Sequence, residues 1–500
     1  MPTPHCLSTR THRSNVFAPN ANAWRMARCA LATSLLALAA GCAGAGSRIE
    51  TTQVVVQSGG SDQRSPTTVQ VQQQWIGGAV GQSVVSVGAS VETHVGLWID
   101  VPQAVQVQQR APMDLAVVID VSGSMATEGR IDHAKLAASS LLESLREGDI
   151  VSITAFASQV YQVAPPTLLT NASRAQLMQL ISGLRPLDST NLYGGLSVGE
   201  THAMNAPATH GLRRVIVISD GMANVGPSSP DQLGLLAAGG TDYGVQVSAI
   251  GVGLQYDEHT LGALAVRSAG RLYHLENPSQ MAAILQGELE RLNQTQATDA
   301  YVILQPAPGV ELLGVETARF ERLENGALKV PLGSLFGGQH RELLVRARVQ
   351  AAQAGTVSLA RTELVYRDLA HNAERRQRLP LNVQASVDIA AVSAPSAQDQ
   401  RVVAMVASNA ASQSQLRAVE MLNQGQAAQA AQEFERAEAQ LQRAESVASA
   451  APASVRANLR AQQAGVRRSR ERAVDAVAHP ARSRAAALGS NADAFSSMGY

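Results

Sequence analysis

The residues best suited to chemistry stand in one short run, Asp120-Val121-Ser122-Gly123-Ser124-Met125. Three oxygen-bearing side chains, Asp120, Ser122 and Ser124, recur at every second position directly after an apolar segment. Gly123 lets the backbone bend tightly between them. Hard oxygen donors in a compact turn suit Mg²⁺, which takes octahedral oxygen coordination at about 2.0–2.1 Å and keeps some of its waters. No histidine or cysteine joins the cluster, which disfavours zinc. Two later segments supply what one turn cannot: Asp188-Ser189-Thr190-Asn191 offers the Thr190 hydroxyl, and Ser219-Asp220-Gly221 offers the Asp220 carboxylate.

The elements that must position these groups are legible as alternating patterns over residues 113–293. Leu115 to Val121, Ile150 to Phe156, Val215 to Ser219 and Val245 to Val252 are short apolar runs of the kind buried on both faces of a parallel sheet. Between them, Ile131 to Arg146, Arg174 to Leu184, Leu192 to Met204, Leu261 to Ser268 and Met281 to Leu292 carry helical spacing, and Leu272-Tyr273-His274 reads as a short strand. Strands alternating with helices predict a doubly wound α/β sheet, Rossmann-like in type, covered on both faces. Ligands of such sheets bind beyond the carboxyl ends of the strands, where strand order reverses. The Asp120 turn and the Asp220 segment both follow strands.

The DVSGSM motif, the Ser189-Thr190-Asn191 triplet, the ISDG segment at Asp220 and the IGVG segment at Ile250 to Gly253 come in an order and spacing that resemble the von Willebrand factor A family. The likeness covers residues 113–293 and implies a metal-ion-dependent adhesion site. Ser122, Ser124 and Thr190 would then be direct hydroxyl ligands of Mg²⁺, or of Mn²⁺ or Ca²⁺. Asp120 and Asp220 would hold metal-bound waters or bind the ion themselves, and one position would remain for an acidic residue of a partner. Asp188 departs from the pattern, because related bacterial domains often carry Gly there.

The rest of the chain frames this domain. With 500 residues, about three or four structural units are expected. Forty basic and forty acidic residues cancel, so nothing in the overall charge draws the protein to nucleic acid. All three cysteines, Cys6, Cys29 and Cys42, precede residue 43, so no disulfide holds the body. Arg25 and Arg28, the apolar run from Cys29 to Ala40 and the small residues before Cys42 read as a secretory signal over residues 1–42. Ala39-Ala40-Gly41-Cys42 resembles a bacterial lipobox with Cys42 as the lipidated residue, although Ala39 stands where that motif usually has Leu; Met26 offers an alternative start. Residues 43–74 read as a flexible tether, 75–112 as a small β region, and 294–386 as a β-sandwich-like domain. Residues 387–400 read as a linker, 401–475 as a helical hairpin or tail broken at Gly425, and 476–500 as disorder.

The expected function is metal-dependent protein binding, for adhesion or assembly, at a bacterial cell envelope. Cys42 would anchor the chain in a membrane, on the outer-membrane or periplasmic side, unless the protein is secreted. The partner would be an unknown protein presenting an acidic residue. An alternative is a structural or assembly scaffold working through the sandwich and the helical tail. A phosphohydrolase using Asp120 fits less well: such enzymes need a second Asp two positions later, and Ser122 stands there. His133 reads as a surface residue of the first helix, and His202 and His210 flank a loop without metal spacing, so no enzymatic activity is expected.

Overall fold

The computed structural model describes residues 73–103, 111–220, 223–254, 256–275, 277–448 and 453–497. The expected signal segment with Cys42, and the expected tether up to residue 72, lie outside the described residues.

The chain enters with three strands, β1 (Ile76–Val80), β2 (Val84–Ser86) and β3 (Ser90–Asp100). An α/β domain follows: β4 (Met113–Asp120), α1 (Arg130–Ser144), β5 (Ile150–Phe156), β6 (Val160–Leu168), α2 (Asn171–Ser182), α3 (Leu192–Met204), β7 (Leu212–Ser219), α4 (Pro230–Gly239), β8 (Val245–Val252), α5 (Glu258–Arg267), β9 (Leu272–Leu275) and α6 (Met281–Asn293). Its six strands are ordered β6-β5-β4-β7-β8-β9, all parallel but for β6, which runs antiparallel to β5. Every residue of β4 and of β8 is buried, as a central parallel strand requires. Alternate residues serve opposite faces. Leu115, Val117 and Ile119 pack with α1, α2 and α6, whereas Ala116 and Val118 pack with α3, α4 and α5. Strand order reverses between β4 and β7, so their carboxyl ends open a crevice.

Seven strands complete a β-sandwich: β10 (Thr295–Pro306), β11 (Val310–Val315), β12 (Glu321–Arg322), β13 (Leu328–Phe336), β14 (His340–Gln350), β15 (Gly355–Asp368) and β16 (Ala373–Ser386). The small β region expected at 75–112 is not separate from it. One sheet runs β1-β3-β14-β11, the other β12-β13-β10-β15-β16-β2, and a single core joins Val95, Leu97 and Ile99 to Val302, Leu343 and Leu364. Eleven-residue β3 pairs with β14 along its whole length, from Ser90↔Gln350 to Asp100↔His340. Neither segment can cover its apolar face alone; the α/β domain is therefore an insertion in the sandwich. The two crossings lie side by side, for Gln296 donates to the carbonyl of Pro102.

The remaining helices are α7 (Ile389–Ser393), α8 (Gln400–Asn423), α9 (Ala427–Val447), α10 (Ala453–Ala478) and α11 (Ser483–Ser497). The last four, α8 to α11, share an alanine-rich core around Phe434 and Leu441, whereas α7 buries no residue. The stretch 387–400 is pinned to the sandwich: Ser83 N–H donates to Ala397 O at 2.7 Å, and Asp399 N–H to Gly81 O at 3.0 Å. The C-terminal stretch, expected to be disordered, contains α11, whose Leu488 and Phe495 pack on the α5 side of the α/β domain. Its short apolar spacing carries little signal until that surface is present. Among the described residues, no helix is long and apolar enough to cross a membrane.

Candidate functional site

The Asp120 turn is built by its own first residue. Both Asp120 oxygens are engaged: Oδ1 accepts from the backbone N–H of Ser122 at 2.8 Å, and Oδ2 from the Ser219 hydroxyl at 2.6 Å. The first bond closes a local turn that redirects the chain; the second ties β4 to β7 across the switch point. Asp120 and Asp220 are both fully buried. Burial pushes the Asp120 carboxyl up to about 6, against the hydrogen bonds from Ser122 and Ser219, and the nearby Asp220 charge adds to the rise.

The second loop is docked on the first by backbone bonds. Gly123 N–H donates to Asp188 O at 2.8 Å, and Leu187 N–H to Val121 O at 2.6 Å. A Cβ on Gly123 would stand 3.2 Å from Leu187 O, so the close approach favours glycine there. Thr190, itself buried, is held by Asn224, whose side-chain oxygen accepts from Thr190 N–H at 2.8 Å while Asn224 N–H donates to Thr190 O. Asp188 turns outward. It is exposed, and a hydrogen bond from Ser158 holds its carboxyl below the usual range.

Three predicted donors, Ser122, Ser124 and Asp220, meet directly; Asp120 joins through the Ser122 backbone, and the Thr190 loop is brought alongside by its backbone, with no bond from the Thr190 hydroxyl to the cluster among the described residues. Ser122 Oγ and Ser124 Oγ are 3.0 Å apart, and Ser124 Oγ donates to Asp220 Oδ1 at 2.7 Å. Two cis oxygens of an Mg²⁺ octahedron stand about 2.9 Å apart, so the serine pair has the spacing of neighbouring ligands. Among the described residues no group of three or more His, Cys, Asp or Glu side chains is placed to hold a metal; a cation here would depend on hydroxyl oxygens. Ser124 is exposed while Ser122 and the carboxylates are buried, which leaves the cluster open on one side. The donor set fits a small hard divalent cation.

One functional neighbour was not read from the sequence. Arg130, at the start of α1 and 7% exposed, donates from Nη1 to Asp220 Oδ2 at 2.7 Å. Its Nε and Nη2 bond Glu128. Gly253 makes room for it: the residue has φ +79°, and a Cβ there would lie 3.1 Å from Arg130 Cζ. An arginine closing the DVSGSM turn was the available signal, but its partner lies 90 residues away.

Residues 115–223 match the family model of the von Willebrand factor type A domain. The chain carries a von Willebrand factor type A domain. The fold agrees: a von Willebrand factor type A protein from Catenulispora acidiphila superposes with a TM-score of 0.62 at 16% identity, over 80% of this chain and 91% of that one. The ArnB paralog VWA2 from Sulfolobus acidocaldarius gives 0.55 at 15% identity, over 83% and 96%. By sequence, an uncharacterized Synechocystis protein is 26% identical over 55% of this chain and 67% of its own length. The uncharacterized Escherichia coli protein YfbK is 27% identical over 48% of this chain; the match spans 42% of YfbK, under half its length. Von Willebrand factor type A domains typically mediate protein–protein interaction or adhesion, and commonly bind a divalent metal.

Proposed function

We propose that this protein binds an acidic partner protein through a divalent cation, Mg²⁺ first among the candidates, held by Ser122, Ser124, Thr190, Asp120 and Asp220. The observation that carries the reading is the 3.0 Å serine hydroxyl pair at the sheet's switch point, flanked by two fully buried carboxylates and open on the Ser124 side. A bound cation supplies a coordination position that a partner's Asp or Glu can complete, and neutral hydroxyl ligands leave it strongly electrophilic. The chain's own residues do the positioning. Ser219 and the Ser122 backbone fix the Asp120 carboxylate, Asn224 fixes the Thr190 backbone, and Arg130 holds one oxygen of Asp220. This is a binding site rather than a catalytic one in our reading, because Ser122 stands where a phosphohydrolase would need its acid. We place the protein at a bacterial cell envelope, anchored through Cys42.

The test is capture of partners from an envelope extract by the full chain in Mg²⁺, in EDTA, and as the Asp120→Ala and Ser122→Ala variants. A partner retained only by the unaltered chain in Mg²⁺ is the expected result. The same partner under all conditions would sink the metal bridge and move the function to the scaffold reading, with the sandwich and helical layer as the binding surface.

A further inference from the structure

A second site lies away from the Asp120 crevice, where the von Willebrand factor type A domain, the sandwich and the helical layer meet. A cavity of about 300 Å³ is walled by Arg271, just before β9, by His340 and Arg341 of β14, and by neutral polar groups that include Asn409 and Ser412 of α8 and Asn458 of α10. A smaller recess shares the Arg271, Phe336, Gln339 and Arg341 walls and adds Arg214, Glu288 and Arg291.

The charges of these walls do not balance. Arg214, Arg271, Arg291 and Arg341 face the recess, and Glu288 is its one lining carboxylate. Glu288 is already occupied: it accepts from Ser248 and Tyr273, with Arg214 Nε at 3.5 Å and Arg291 Nη1 at 4.0 Å. In the larger cavity, Glu342 is the lining carboxylate, and it is shared by His340 at 3.0 Å and Arg401 at 3.9 Å. His340 also faces Asp100; although burial pulls its pKa down, Asp100 and Glu342 hold it at about 9, so its charge is met by these carboxylates and the excess is carried by the arginines.

Arg214 is 8% exposed, and its Nε, at ion-pair range of Glu288, makes no hydrogen bond among the described residues. The Arg271 guanidinium rests 5.5 Å over the Phe336 ring, and burial lowers its pKa. Burying cations in excess of their counter-ions is costly unless an anion is brought in. Guanidinium forks match the oxygens of phosphate, and an excess of several charges favours a dianion over a monocarboxylate. Neutral amide and hydroxyl groups line the α8 and α10 side, where Asn409 already donates to Glu316 and Ser412 Oγ accepts from Gln462.

We propose that this junction is a binding site for a small phosphate-bearing anion, which holds α6 and β9 of the inserted domain to β14 of the sandwich and to the helical layer.

The experiment is calorimetric titration and thermal melting of the full chain with inorganic phosphate at fixed ionic strength and pH 7.5, with acetate as the monoanionic control. Saturable phosphate binding accompanied by a saturable rise in melting temperature is expected, with acetate weaker by about tenfold or more. Arg271→Gln should weaken phosphate by about tenfold or more. Arg291→Gln, at a wall position whose side chain is 42% exposed, should weaken it severalfold and supplies the reading if the first variant does not fold. Ser122→Ala, at the other site, should bind phosphate as the unaltered chain does. Absence of saturable phosphate binding would overturn the proposal. So would unchanged affinity in the arginine variants, or acetate binding as tightly as phosphate.

Discussion

Arg130 sits where a metal-binding reading is most exposed to test. Its guanidinium is 2.7 Å from Asp220 Oδ2, with side-chain exposures of 9% and 0%. A unit-charge pair about 4 Å apart is worth about 4 kcal/mol at an effective dielectric near 20. Replacing Arg130 by Met keeps much of the packing and removes the charge. Asp220 is then left buried with Ser124 as its remaining side-chain partner among the described residues, and the metal-free protein should lose about 3 kcal/mol of stability. A divalent cation approaching the unaltered site must share Asp220 with the guanidinium and face its repulsion. Relieving about half of that pair energy should tighten Mg²⁺ by about 2 kcal/mol, or roughly 30-fold. The assay is Mg²⁺ titration by calorimetry at fixed ionic strength, with thermal melts in EDTA and in saturating Mg²⁺. The variant should melt below the unaltered chain in EDTA, and Mg²⁺ should close most of the gap. Mg²⁺ affinity equal to or weaker than that of the unaltered chain would refute the view that Arg130 competes for this carboxylate.

Other perturbations follow from buried groups outside the crevice. Glu200 on α3 is 1% exposed, its Oε1 lacks a hydrogen-bond partner, and burial pushes its pKa from 4.5 to about 8. The folded state therefore holds the proton more tightly, and this contribution is lost as pH rises from about 5 through about 8. Glu200→Gln should flatten that decline by a few kcal/mol, read as melting temperature against pH. Arg484 of α11 bonds both oxygens of buried Glu258 and the carbonyls of Leu254 and Tyr256. Arg484→Gln should cost about 2 kcal/mol, allowing for the partial exposure of the arginine, and should speed proteolysis within α11 more than within the sandwich. Gly253→Ala forces a left-handed φ on alanine and crowds Arg130; a loss of about 1–2 kcal/mol in denaturant unfolding is expected.

What was legible in the sequence was local. The Asp120 turn, the Thr190 loop and the strands Ile150–Phe156 and Val245–Val252 carry their signals within a few residues, and the parallel sheet places the strand ends together by topology alone. The edge strand β6 escaped notice because its faces alternate irregularly, with Pro165 and Pro166 inside it. Helix α4 carries a local start signal in its Ser229 cap and Pro230 at the first turn, but Gly234 and Gly239 weaken its helical pattern. The pairing of Arg130 with Asp220, and of β3 with β14, depends on partners far along the chain, and no periodicity within a segment encodes which distant segment covers it. The charge excess at the three-way junction is of the same kind, since Arg214, Arg271, Arg291 and Arg341 are scattered in sequence and meet only when three layers close.

The insertion has a consequence for the order in which the molecule is assembled. Asp100 of β3 meets His340 of β14 across 240 residues of chain, so strands made early must wait for partners made late. Contacts this distant close slowly, and a long strand lacking its neighbour is open to wrong pairing while it waits. The interval is occupied by a domain whose own strands pair over shorter separations, the longest joining β4 to β7 as in Met113 with Leu212. Once that domain has folded, it brings Pro102 and Gln296 side by side and turns a long loop into a short one. The inserted domain would then act as a clasp during synthesis, and destabilising it should slow closure of the sandwich more than it weakens the finished sandwich.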